Sequence, residues 1–140
     1  MKTMSLSQRV TELVKALRRD VPECLAAGIV DLTTGMLLAL ETVDTHPQEV
    51  LELVGAATYD LFQGRNVATI ETHFKHRRND TRERHYFQEV LVNSDNLTHL
   101  FLRAASNPDL VVTVVSPRSV NLGMLLAQTR RVLREYDEFD

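Results

Sequence analysis

The stretch LAAGIVDLTTGMLLALETV, residues 25–43, decides the fold. It reads as two strands folded back on each other through Thr33, Thr34 and Gly35, because glycine takes a left-handed turn conformation at little cost. Leu25, Ala27 and Ile29 alternate with Ala26, Gly28 and Val30. Both faces of this strand are apolar, the pattern of a strand covered by protein on either side. Ala26, Ala27 and Gly28 leave room for a helix to approach the backbone closely. Residues 36–43 return as the partner strand.

Upstream, residues 5–19 predict an amphipathic helix, with Leu6, Val10, Leu13, Val14 and Leu17 at helical spacing. Ser5 and Gln8 match a capping box, and Val21 before Pro22 ends the helix. Downstream, Thr45 and Gln48 form a second capping-box match, with Pro47 tolerated in the first turn and Gly64 placed to terminate. This second helix carries two apolar stripes. One holds Val50, Leu53, Val54, Ala57 and Leu61; the other holds Leu51, Gly55, Tyr59 and Phe62. A helix packed only on its own sheet needs one stripe. The extra stripe points either to a second contact surface, such as another subunit, or to a helix sunk deep in the core.

Residues 65–85 form a polar insertion. Val67, Ile70 and Phe74 recur at helical spacing over about 66–76, while a partly alternating pattern keeps a strand open. Residues 77–85 read as a charged surface loop. Three strand-like segments follow at 87–93, 97–103 and 110–115, separated by Ser94-Asp95-Asn96 and Ser106-Asn107-Pro108-Asp109. Turns this short favour antiparallel pairing. The last segment, LVVTVV, has the β-branched, apolar character of a central strand. A final helix is predicted over 118–136, started by Ser116 and Pro117. Residues 135–140, with Glu135, Asp137, Glu138 and Asp140, are expected to fray as an acidic tail.

At 140 residues the chain fits one domain spanning 1–140, with a core able to bury roughly 68–70% of the unfolded surface. The net charge of -3 provides no global basic field for nucleic acid. Cys24 is the only cysteine, which excludes an intrachain disulfide and fits a cytoplasmic location. The first ten residues lack the apolar core of a signal peptide. No apolar run approaches the ~18 residues of a membrane span, so no membrane partner is expected.

Catalytic and ligand-binding patterns are weak throughout. The five scattered glycines form neither a Walker loop nor a dinucleotide fingerprint. His73 and His76 would share one face of a helix near Glu71, with His85 downstream, but no paired cysteines or HExxH context supports a metal, and solvated surface residues are the better reading. His46 and His99 look isolated. Cys24 beside Glu23 lacks the electropositive setting of a nucleophile, and Ser94, Ser116 and Ser119 lack a nucleophile elbow. Arg65, Lys75, Arg77, Arg78, Arg82 and Arg84 cluster near Phe74, Tyr86 and Phe87, a composition that can bind single-stranded nucleic acid. Glu71, Asp80 and Glu83 in the same stretch favour a solvated loop, or a docking patch for an acidic protein surface. No cofactor and no metal are expected.

The segments AAGIVDLTTGMLLA, VLELVGAATYDLF, LVVTVV and SVNLGMLLAQTRRVL, in that order, carry a resemblance. The chain resembles the bacterial branch of the roadblock/dynein light chain family over residues 10–134, departing from a minimal member in the insertion 65–85. The resemblance implies an α+β fold of the profilin-like or longin-like type. That fold is a single five-stranded antiparallel sheet flanked by helices, in the order α-β-β-α-(α)-β-β-β-α. It also implies a non-enzymatic homodimer that serves a small Ras-like GTPase or scaffolds a larger assembly. The implied dimer surface comprises Leu51, Gly55, Thr58, Tyr59 and Phe62 on the second helix and Phe87, Glu89 and Leu91 on the strand after the insertion. Lys75, Arg77, Arg78, Arg82 and Arg84 would serve for partner docking. A small-molecule sensor of the PAS type is the alternative, since those domains also place two strands before a helical section and three after it. Such a sensor needs a pocket, and the predicted inner strands supply mainly aliphatic residues and Thr113.

Overall fold

The structure is a computed structural model describing residues 4–43, 48–77 and 87–139; for 48–53, 63, 65, 66 and 74–77 only the backbone is described. Its elements are α1 (Leu6–Asp20), β1 (Ala26–Asp31), β2 (Met36–Thr42), α2 (Gln48–Gln63), α3 (Arg65–Arg77), β3 (Glu89–Asn93), β4 (Leu97–Arg103), β5 (Leu110–Pro117) and α4 (Leu122–Tyr136). The five strands form one antiparallel sheet in the order β2-β1-β5-β4-β3. The α+β architecture expected from the element order is therefore present.

The hairpin forms as its sequence dictates. Asp31 directs the turn: its carbonyl accepts from the amide of Gly35 at 2.7 Å, and its Oδ1 accepts from the amide of Thr33 at 2.9 Å. Gly35 sits at φ 72°, the left-handed position that glycine occupies without strain. Beyond the turn the register slips between Ile29 and Val30, so Leu38 becomes the extra residue of a β-bulge. The other side of β1 pairs with β5, Ile29 opposite Val112. β1 is thus flanked by strands on both edges and covered on both faces.

Two apolar layers provide that cover. On one face α1 and α4 bury Leu13, Leu17, Leu125 and Val132 against Ile29, Leu100 and Val112. On the other, Phe62 of α2 packs with Val30, Leu32, Phe101 and Val111. α1 is capped as predicted: the Gln8 amide donates to Ser5 Oγ at 3.2 Å, and Ser5 N–H donates to Gln8 Oε1 at 2.9 Å. The match at Thr45 lies outside the described residues. Val67 and Ile70 lie on a helix, α3, which packs on α2.

Two expectations are corrected. The last helix starts at Leu122 and not near Arg118, because β5 runs on through Ser116 and Pro117. Ser116 Oγ donates to the Pro22 carbonyl at 3.1 Å, and Asn121 caps α4 by accepting from the Met124 amide at 3.0 Å. The acidic tail does not fray over its described residues. Phe139 is 6% exposed within the α1–α4 core, and Asp137 accepts from the amides of Ala105 (2.8 Å) and Ser106 (3.0 Å). Arg9 of α1 donates to the Glu138 carbonyl at 2.6 Å and pairs with its carboxylate at 3.2 Å. One aromatic side chain and one turn-capping carboxylate thus anchor a segment whose composition looks solvated.

Phe139→Ala should lower unfolding stability by about 3 kcal/mol in urea titrations, where a frayed tail would give almost no change. Gly55→Ala should cost about 1–3 kcal/mol in the same assay, since an added Cβ would run into the Gly35 carbonyl of the hairpin turn.

Candidate interaction surface

The backbone of β3 forms one edge of the sheet and, among the described residues, pairs only with β4. The Arg103 amide donates to the Gln88 carbonyl and the Ser94 amide to the Leu97 carbonyl, both at 2.9 Å. Antiparallel alternation then turns the amides of Val90 and Val92 toward β4 and those of Glu89, Leu91 and Asn93 toward the open side. Natural edge strands are usually blunted by lysine, proline or an inward charge. β3, with the sequence EVLVN, has no lysine or proline, and its one charge is drawn away. Arg130 of α4 grips Glu89 with two hydrogen bonds, at 2.8 and 2.5 Å, holding its carboxyl below the usual carboxylate range. Leu91 is 37% and Val92 39% exposed. An apolar edge whose outward backbone groups face the open side is a template for another strand.

Val90 and Val92 lie on the α2 face of the sheet, opposite Phe101 and His99. On that face α2 covers the hairpin side and leaves an apolar groove of about 610 Å³ beside it. Its wall is Val54, Ala57 and Thr58 of α2; its floor includes Ala26, Gly28, Thr113 and Val115; its far side includes Leu97 and His99. The depth follows from the small floor residues: a Cβ on Gly28 would already lie 3.1 Å from Leu37 Cδ1 and 3.3 Å from Thr113 Cγ2. No aspartate, glutamate, lysine or arginine is among the described lining residues. Half-burial pushes the His99 imidazole down from its ordinary range, toward the neutral form.

No protein-family model and no curated protein matches the chain. Solved structures do. The gliding protein MglB from Thermus thermophilus superposes with a TM-score of 0.67 at 16% identity, covering 100% of this chain and 96% of that one. An MglB with a tetrameric arrangement gives 0.68 at 14% identity, over 98% and 91%. A Roadblock/LC7 domain from Streptomyces avermitilis gives 0.61 at 13% identity, over 89% and 92%. The chain has the roadblock fold.

Within this roadblock fold the expected interface residues divide. Gly55, Thr58 and Phe62 of α2 are buried within the chain's own fold, Thr58 in the wall of the groove. The reason is the close approach at Gly55, which turns that face of the helix inward. Tyr59 stands outside at 37% exposure, and Ala57, from the other stripe, borders the open groove. Phe87 is half-buried against the Phe62 cluster, while Glu89 and Leu91 lie on the exposed edge strand. The backbone of Leu51 lies in α2, and the backbones of Lys75 and Arg77 in α3; their side chains, and all of Arg78, Arg82 and Arg84, lie outside the described residues. His73 is exposed on α3, and His85 lies outside the described residues. Cys24 is buried, its thiol pushed up chiefly by desolvation, with Sγ donating to the Ala26 carbonyl at 3.2 Å. Among the described residues no helix is long and apolar enough to cross a membrane.

The groove histidine has a measurable consequence. Its folded pKa lies below the unfolded value of about 6.5, so its contribution to stability is full above that pH and lost as pH falls through the folded value. Unfolding free energy should therefore drop on acidification through this window, and His99→Gln should remove that part of the slope.

Proposed function

We propose that this chain is a non-enzymatic interaction module, acting in the cytoplasm, that self-associates through β3 and the α2 side of the sheet. The observation that carries this is the continuity of an unprotected strand edge with an uncharged apolar groove. A second copy pairing at β3 would extend the sheet and bring its own α2 over the groove. Exposed Tyr59, Leu91 and Val92 flank that contact. The tetrameric arrangement of a structurally similar MglB supports self-association. The likeness to the bacterial roadblock family supports the further reading that the dimer regulates a small Ras-like GTPase or scaffolds a larger complex.

The groove also favours a second reading, a sensor for a small apolar molecule, because its volume falls within the roughly 300–1,000 Å³ range of ligand pockets. Mass spectrometry of the purified protein under native conditions would show a retained ligand if this reading holds.

Sedimentation should find the parent protein self-associated at micromolar concentration. Val92→Glu and Tyr59→Glu should each weaken association by about 100-fold, the effect of burying an unpartnered charge at roughly 3 kcal/mol. A monomeric parent would sink the dimer. The regulatory reading fails separately if a Ras-like GTPase from the same source neither co-purifies with the protein nor hydrolyses GTP at a changed rate in its presence.

A further inference from the structure

Arg103 ends β4 and is 7% exposed, the one arginine among the described buried side chains. Its Nε donates to the Phe87 carbonyl at 3.0 Å, and its Nη1 donates to the Pro108 carbonyl at 2.6 Å. Its guanidinium carbon lies 5.1 Å from the ring centroid of Phe62 on α2. That ring meets Phe101 edge-on, with centroids 6.3 Å apart. The Arg103 backbone amide holds Gln88, the next residue along. One side chain therefore reaches α2, the start of β3 and the turn before β5. Among the described residues Nη2 has no hydrogen-bond partner.

A buried cation is an expensive way to fill space. Burial lowers the Arg103 pKa, partly offset by the negative charges of Glu71 and Asp109. Replacing buried charge by an apolar side chain of similar length is often neutral or favourable for stability. What methionine lacks is a planar fork that can donate to two carbonyls while stacking on a ring. Of the two carbonyls gripped by that fork, Phe87's lies two residues before β3, in a residue whose side chain packs against the Phe62 cluster of α2, and Pro108's lies in the turn before β5.

We propose that Arg103 is the positioning residue of the docking surface, fixing the β3 edge relative to α2 so that both are presented in one geometry. This rests on the self-association proposed above. It predicts selective loosening of β3 when the fork is lost. In Arg103→Met, hydrogen exchange at the Val90 and Val92 amides should rise about tenfold, while amides of Leu13, Ile29 and Val132 change less than about twofold. Self-association should weaken about tenfold. A rise that is uniform across the molecule, or none at β3, overturns the proposal. Should Arg103→Met fail to fold, Arg103→Lys serves: it keeps the charge, but one ammonium cannot span both carbonyls and the ring. It should show the same selective loosening, and parent-like exchange at β3 overturns the proposal. If the parent protein is monomeric, the docking reading is lost, and the β3 exchange pattern alone decides whether Arg103 positions this edge.

Discussion

The α2 helix meets the hairpin turn at backbone distance, where Gly55 lies against the Gly35 carbonyl. Much of the α2 face follows from that contact. With no side chain at Gly55 the helix settles onto the end of the hairpin, and Phe62, two turns on, reaches the sheet beside Phe101. The ring of Phe62 then supplies the platform on which the Arg103 guanidinium lies. With the helix seated at that end, its Phe62 reaches Phe101 of β4 and Val111 of β5, and the apolar groove lies over the part of the sheet it leaves bare.

The two faces of the sheet thus differ in kind. The α1–α4 face is closed, and even its C-terminal segment is tucked in by Phe139 and Asp137. The α2 face is half closed and runs out to an edge strand without the usual protection. A roadblock fold shared with MglB proteins at 13–16% identity shows that the fold itself persists through wide changes of sequence.

Most of the architecture is legible in the chain. The turn at Gly35, the capping box at Ser5 and the β-branched run of β5 are local signals, and local signals survive folding. The start of α4 is not, because Ser116 and Pro117 are acceptable helix starters as well as strand residues, and pairing with β4 decides between them. The candidate surface is only half legible. Two stripes on α2 are visible, yet which one faces inward depends on the contact with Gly35, twenty residues away. A glycine, a threonine and a phenylalanine at Gly55, Thr58 and Phe62 could have signalled the inward face, the glycine marking close approach. Arg103 gives no signal beyond being a charge at the end of an apolar strand. Phe139 is hidden by the acids around it.

The pairing of β1 with β5 joins residues about eighty positions apart at the centre of the sheet. Such non-local contacts raise the contact order, so this chain should cross its folding barrier slowly for its size. They also separate the sheet from what lies between. Closing a loop costs only about 0.6 kcal/mol more for each doubling of its length. The connection between α3 and β3 can therefore change length at small cost while the strands keep their register, so sequence can diverge there faster than in the sheet.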